Sequence, residues 1–498
     1  MAAGDLVIAS NRLPVTVTFP AGSLTLEPSS GGLVAALGGI ATPFSWVGWP
    51  GCVVPAGAER EVRERLAAER LFPILLSREE ETEFYGRLCN DTLWPLFHGF
   101  ADRQRFSEGA WRHTVAVNER FAAEIAARSA EGAVVWVHDF HLLLVPTLLR
   151  RLRPDLAIGF FLHVPFPAAD VFRRLPSRQA REQLLLGLLG ADTIGFHTSD
   201  YVHRFRATCL DVLGIASQPD AIALGGRSVE LSASPIGIDI ARFRRTLAQP
   251  AAAELAARLE RRYRGRRLVL GVDRLDYTQG VPQKLRAFER FLEREPARAE
   301  TTTLLQVLVP SRLESAGYGS QRDEIEREVA RINGRFGCPG GRPPVEVVDH
   351  SVPAAELVAL YRRADVMAVT PLRDGMNLVA LEFVLCQTAA PQSPGGAGGV
   401  LLLSELAGAA ASLPGALLVN PWDCEGLADR LEEALRLDPA ERRARLALLR
   451  EPVERLDAPR WAEACLARLA GRASGAAQAG SVASSATRGT SPHRSSSR

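Results

Sequence analysis

Residues Val369 to Phe383 read VTPLRDGMNLVALEF, and the rest of the chain is organised around them. The apolar run Val366 to Val369 just upstream has the character of a buried parallel strand. Pro371 to Asn377 break it as a turn, and Leu378 to Cys386 resume at helical spacing. Such a strand, turn and helix start offers unpaired backbone N–H groups and the positive end of a helix dipole, which favour an anion and especially a phosphate. Gly375 has no Cβ to keep the backbone away from that anion. Asp374 on the turn and Glu382, read as about two helical turns in, are carboxylates placed to accept hydrogen bonds from sugar hydroxyls. An ordinary turn whose Asp merely caps the helix has the same pattern, so neighbouring stretches must decide.

Working upstream, βα alternation begins at about Arg267. Leu268 to Val272 form a strand ending in Asp273 and Arg274, followed by the amphipathic helix Pro282 to Leu292. Thr303 to Val309 is the next strand, ending in Pro310, Ser311 and Arg312, with a charged helix from Arg322 to Asn333. Val345 to Val348, Gly399 to Leu403 and Ala416 to Val419 supply further strands, and Cys424 to Leu437 and Arg460 to Leu469 further helices.

An earlier series has the same rhythm. Leu6 to Ser10 is a strand ending in Asn11 and Arg12; a hairpin-like stretch leads to Gly31 and Gly32, which open a helix over Leu33 to Ile40. Ala133 to Val137 end in His138 and Asp139 before a helix over Leu142 to Leu152, and Ala157 to Leu162 end in His163. A helix over Gln183 to Leu189 and a strand over Asp192 to Phe196 close this half. Arg12, Asp139 and His163 therefore gather at one sheet edge, where open α/β sheets bind ligands. The large aromatics Trp46, Trp49, Tyr85 and Trp94 serve either as core or as a sugar-contacting wall. Two series with a joint near residues 240 to 265 give an α/β protein of two doubly wound domains facing across a cleft.

Composition narrows the functional classes. The chain has 498 residues, 47% hydrophobic and 23% charged, with a net charge of +2, which is globular and gives no electrostatic case for nucleic acid or membrane. Its seven cysteines are scattered without a CxxC pair, so reduced thiols are expected and a zinc site is not. No GxxxxGK[ST] occurs, and no DxD motif calls for a metal. The N-terminus lacks the pattern of a signal peptide, and a cytoplasmic location is expected. Residues 473 to 498 carry no apolar pattern and read as a disordered tail, and Pro391 to Gly399 as a flexible loop.

With these residues in place the chain resembles the trehalose-6-phosphate synthase family, retaining glycosyltransferases of the GT-B fold. SNRLPV at Ser10, SSGGLV at Ser29, WVGWPG at Trp46, LWPLFH at Leu93, WVHDFHLL at Trp136, GFFLHVPFP at Gly159, PIGID at Pro235, VDRLDY at Val272, RING at Arg331 and RDGMNLV at Arg373 follow the family's order over about residues 6 to 425. The resemblance implies a Rossmann-like acceptor domain over residues 1–240, a Rossmann-like nucleotide-sugar domain over 241–455, a C-terminal helix over 456–472 and the tail over 473–498. It also implies transfer of glucose from UDP-glucose to glucose 6-phosphate, giving α,α-trehalose 6-phosphate and UDP, with no cofactor and no metal. A separate phosphatase would act downstream, and homo-oligomer formation stays open.

By the same resemblance Arg12, Tyr85, Trp94, Asp139 and Arg312 hold the acceptor, the two arginines on its phosphate. Gly31 and Gly32 close over the donor; His163 contacts the donor glucose and Asp374 its hydroxyls. The amides of Gly375, Met376, Asn377, Leu378 and Val379 meet the diphosphate and sugar, Glu382 binds the ribose, and Arg274 neutralises the leaving diphosphate. The chain departs from the family at Gln279, where a lysine is usual. A lost charged donor in such a site costs about 2.7–4 kcal/mol. Lys284, the sole lysine, stands five residues further on, where it is not expected to substitute. Slow turnover, a catalytically weak regulator that binds sugar phosphate, and a related transferase with another nucleotide sugar or acceptor are the readings this opens.

Overall fold

The computed structural model describes residues 5–29, 32–38, 40, 42–310, 316–388 and 398–471. Two large sheets dominate. The first has eight strands in the order Leu71–Pro73, Ser45–Trp49, Leu6–Arg12, Val134–His138, Ala157–Phe161, Thr193–Phe196, Arg227–Ala233 and Ala221–Leu224. All neighbours are parallel except the last pair, an antiparallel hairpin. The second has six parallel strands in the order Val345–Val348, Thr302–Val309, Arg267–Arg274, Val366–Val369, Val400–Ser404 and Leu417–Val419.

In both sheets the first strand of the series lies centrally and the order reverses beside it, the doubly wound arrangement in which ligands bind at the carboxyl ends of the strands next to the reversal. Those ends carry Arg12 and His138 in the first sheet, and Arg274 and Thr370 in the second. The central strands are buried on both faces, as parallel strands covered by helices must be, and this explains their unbroken apolar runs.

Val345–Val348 and Val366–Val369 form over the expected residues, and the expected helix after the turn runs Leu378–Thr388. Five expectations need adjustment. Glu382 stands one turn into that helix, not two. The helix expected over Leu33 to Ile40 is Gly32–Leu37. That over Leu142 to Leu152 begins with a tight 3-10 turn, Phe140–Leu142, before Val145–Leu152. The helix expected over Gln183 to Leu189 runs Arg178–Leu188. The helix expected over Arg322 to Asn333 extends from Ala316 to Phe336. Arg312, Gly31, most of the 391–399 loop and the 473–498 tail lie outside the described residues.

The chain crosses between the sheets twice at one place. Ile238 donates its N–H to the Leu456 carbonyl at 3.0 Å and accepts from the Ala458 N–H at 3.0 Å. A Cβ on Gly237 would lie 1.7 Å from the Leu456 oxygen, so only glycine fits this crossing. The helical residues 458–471 then pack back on the first sheet, where Trp461 meets the rings of Phe161 and Trp136 and donates to the Ser234 carbonyl at 3.0 Å. One apolar core consequently runs through both halves by way of Ile238 and Trp461, while two others fill the outer faces of the two sheets. All seven cysteines are free, and no helix of the described residues is long and apolar enough to cross a membrane.

Candidate active site

At the edge of the first sheet, Arg12 leaves its strand exposed, donates through Nη2 to the Gly51 carbonyl at 2.8 Å and places its guanidinium 4.8 Å from the Trp49 ring. This stacking fixes one side of the fork while the arginine remains open to a phosphate. Tyr85 stands on the far side of Trp49, with ring centroids 5.1 Å apart. Its segment, Glu81–Leu93, is a π-helix that leads into the helix Trp94–Phe97. Such widened turns are frequent at functional sites, since they change which side chains face inward.

Asp139 follows the strand Val134–His138 with φ of 73°, unusual for a residue with a side chain, and strain of this kind clusters at functional sites. Its Oδ1 accepts the His163 N–H at 3.2 Å, which ties two strand ends together. The His163 ring shares a hydrogen bond of 3.1 Å with that of His138, which is fully buried. Burial lowers the imidazole pKa of His138 to about 3 and that of His163 well below its ordinary value. His163 thus presents a neutral ring that hydrogen-bonds without adding charge.

The second sheet contributes the opposite wall. Arg274 ends its strand exposed, with its guanidinium 5.3 Å from the ring of Trp94 across the cleft. Its neighbour Asp273 is buried and binds Lys284 Nζ at 2.5 Å and Gln306 Nε2 at 2.8 Å. The only lysine of the chain is thereby engaged inside the domain, as expected of a residue that does not replace the missing ammonium. Gln279 is buried; its Nε2 donates to Thr278 Oγ1 at 3.4 Å, and its amide counts among the influences that lower the Asp374 pKa. The Leu372 N–H donates to the Thr278 carbonyl at 2.7 Å, so the two turns of this sheet edge are pinned together.

Asp374 is not the helix cap. Asn377, at φ of 74°, accepts the Ala380 N–H on Oδ1 at 3.4 Å and donates through Nδ2 to Asp374 Oδ2 at 3.1 Å. Burial pushes the Asp374 carboxyl up, opposed by the charge of Arg274 and by the hydrogen bonds of Asn377 and Gln279. Gly375 abuts the first half: an added Cβ would lie 2.1 Å from the His163 carbonyl oxygen. Here the glycine is required by the approach of the two halves, a constraint beyond the anion contact expected from sequence. Glu382 accepts the Tyr361 hydroxyl at 2.8 Å, and burial raises its pKa.

Arg12, Tyr85, Trp94, Asp139 and His163 thus lie along one sheet edge, and Arg274, Gln279, the Asp374 to Val379 turn and Glu382 along the other. Gly32 begins its helix in the first half. Sequence reading missed Tyr361, which holds Glu382, and Tyr201, which reaches the Asp374 turn from the first half. Neither is next to a motif residue it touches. Among the described residues no group of three or more His, Cys, Asp or Glu is arranged to hold a metal ion.

Comparison with known proteins adds names to this geometry. Residues 4–471 match the model of glycosyltransferase family 20. The UDP-forming α,α-trehalose-phosphate synthase A of Dictyostelium discoideum is 38% identical over 460 residues, 92% of this chain, which spans 61% of that longer protein. The UDP-forming α,α-trehalose-phosphate synthase of Pichia angusta is 40% identical over 477 residues, covering 93% of this chain and 98% of that protein. Among solved structures, the UDP-forming synthase of Burkholderia xenovorans in complex with glucose-6-phosphate has a TM-score of 0.82 at 33% identity, covering 94% of this chain and all of that one (100%). The E. coli trehalose-6-phosphate structure bound with UDP-2-fluoro glucose has a TM-score of 0.81 at 31% identity, covering 93% and 98%. The N-terminal domain of Candida albicans trehalose-6-phosphate phosphatase has a TM-score of 0.83 at 30% identity, covering 94% and 97%.

Proposed function

This chain belongs to glycosyltransferase family 20 and has a GT-B architecture, and from that premise we propose that it makes α,α-trehalose 6-phosphate and UDP from UDP-glucose and glucose 6-phosphate. Residues 1–240 supply the acceptor side and 241–455 the donor side. The observation that carries the reading is the meeting of two differently equipped sheet edges, with Arg274 of one 5.3 Å from Trp94 of the other. A cation and a helix N-terminus suit a diphosphate, while an arginine stacked on tryptophan, a tyrosine and a carboxylate suit a phosphorylated sugar.

In the reaction the bond between donor C1 and the diphosphate oxygen breaks, and a bond forms from C1 to the anomeric oxygen of the acceptor on the same face. The acceptor proton passes to the departing diphosphate oxygen, so no enzymic nucleophile is needed. The protein contributes position and charge. Arg12 takes the acceptor phosphate, with Arg312 as its second arginine. Tyr85, Trp94 and Asp139 line the acceptor, and Gly31 and Gly32 close over the donor. Neutral His163 and Asp374 hold the donor glucose, the amides from Gly375 to Val379 hold its diphosphate, Glu382 takes the ribose, and Arg274 meets the leaving charge. Asn377 keeps Asp374 in place, and Gln279 adds a neutral amide at the same edge.

The test is product identity. Purified protein incubated with UDP-glucose and glucose 6-phosphate is expected to form one phosphodisaccharide whose two anomeric protons both show the small coupling of α linkages by NMR. A β coupling, or no disaccharide with these substrates, would contradict the proposal.

A further inference from the structure

Tyr201 stands on the helix Ser199–Leu213, which follows the first-sheet strand Thr193–Phe196. Thr198 caps that helix by accepting the Tyr201 N–H at 3.3 Å, so the tyrosine sits on a fixed first turn at the cleft edge. Its side chain is 3% exposed. Its hydroxyl crosses to the second half and donates to the main-chain carbonyl of Asp374 at 3.0 Å. On the other side the same carbonyl accepts the Gly408 N–H at 3.2 Å. The Arg373 guanidinium lies 5.9 Å from the tyrosine ring. The next residue, Gly375, packs its Cα against the His163 carbonyl, also of the first half.

The turn that begins the Leu378–Thr388 helix is therefore clasped between the two halves, and Tyr201 makes a directional hydrogen bond across that clasp. We infer that Tyr201 is a positioning residue of the donor site: its hydroxyl sets the orientation of the Asp374 turn, so the helix-start amides face the donor diphosphate only when the halves are closed. The inference rests on the transferase reading above and adds to it the coupling between cleft closure and donor affinity. Tyr201 touches neither reacting atoms nor the acceptor-side residues Arg12, Tyr85 and Trp94, so its effect is confined to the donor.

Tyr201→Phe removes the hydroxyl and keeps the ring beside Arg373. Titration calorimetry with UDP and, separately, with glucose 6-phosphate is expected to show UDP affinity reduced about threefold to tenfold, the worth of one hydrogen bond. Glucose 6-phosphate affinity and the melting temperature are expected to stay at wild-type values, and steady-state kinetics to show the loss in KM for UDP-glucose. Unchanged UDP affinity would overturn the inference, as would equal weakening of both ligands with a lowered melting temperature, the mark of a merely structural role. A wild-type chain that binds no UDP would instead overturn the transferase reading, and the inference with it.

Discussion

Gln279 is where this chain separates itself from its resemblance. Its amide donates to Thr278 Oγ1 and it has no charge to offer a leaving diphosphate, while Lys284 is occupied by Asp273 and Gln306. In the proposed reaction, leaving-group stabilisation is assigned to Arg274 and the helix start. Gln279→Lys is expected to raise kcat, by up to about a hundredfold, with KM for glucose 6-phosphate unchanged. Steady-state rates of UDP release measure this, and an unchanged kcat would mean that one arginine and the dipole already suffice. The residue types at this edge were legible in the sequence because they follow strand ends. Their partners were not: Tyr201 lies 173 positions from Asp374, and no local pattern foretells that bond.

At the scale of elements, the turn before Leu378–Thr388 is held by close backbone approaches. With its Cα against the His163 carbonyl, Gly375 tolerates no side chain, and Gly375→Ala would push the halves apart at the donor site. Activity is expected to fall about a hundredfold or more, the scale of a displacement near 1 Å between reacting groups. Far-ultraviolet circular dichroism should not change, since the added methyl displaces the turn without removing any helix or strand; retention of full activity would show that the clasp opens during turnover.

Which elements could be read from sequence follows from their burial. Central strands such as Val345–Val348 and Val366–Val369 announce themselves as unbroken apolar runs. In the sequence the strand Ser45–Trp49 shows only scattered aromatics, although all five of its residues are buried. The helix Glu108–Arg128 was missed because Thr114 and Asn118 interrupt its buried face, both bonding within the protein. In Ser199–Leu213 the buried face includes Thr208, whose hydroxyl bonds the Arg204 carbonyl. A polar residue satisfied by its own helix is buried without looking apolar. The π-helix Glu81–Leu93 has no periodic signature of its own.

For the whole molecule, three neighbouring histidines of the first half, buried His138 and His197 and half-buried His163, are held in the neutral form. Burial lowers His138 and His197 from an ordinary 6.5 to about 3. Below that ordinary value the unfolded chain binds protons that the folded chain refuses, so the contribution to stability is complete above pH 6.5 and is lost as pH falls toward 3. Melting temperatures are expected to decline steadily between about pH 6.5 and 4, with a shallower slope in His197→Asn. A flat profile through that range would show that these rings are protonated in the folded state.

In the proposed reaction the two halves work as one machine, in which donor cleavage requires an acceptor on the opposite wall. The measurement that tests this most directly is the initial rate of UDP release from UDP-glucose with and without glucose 6-phosphate. Release is expected to depend on glucose 6-phosphate, to be matched mole for mole by phosphodisaccharide, and to disappear in Arg274→Ala. Release independent of the acceptor, or none from the natural chain under conditions where both ligands bind, would contradict it.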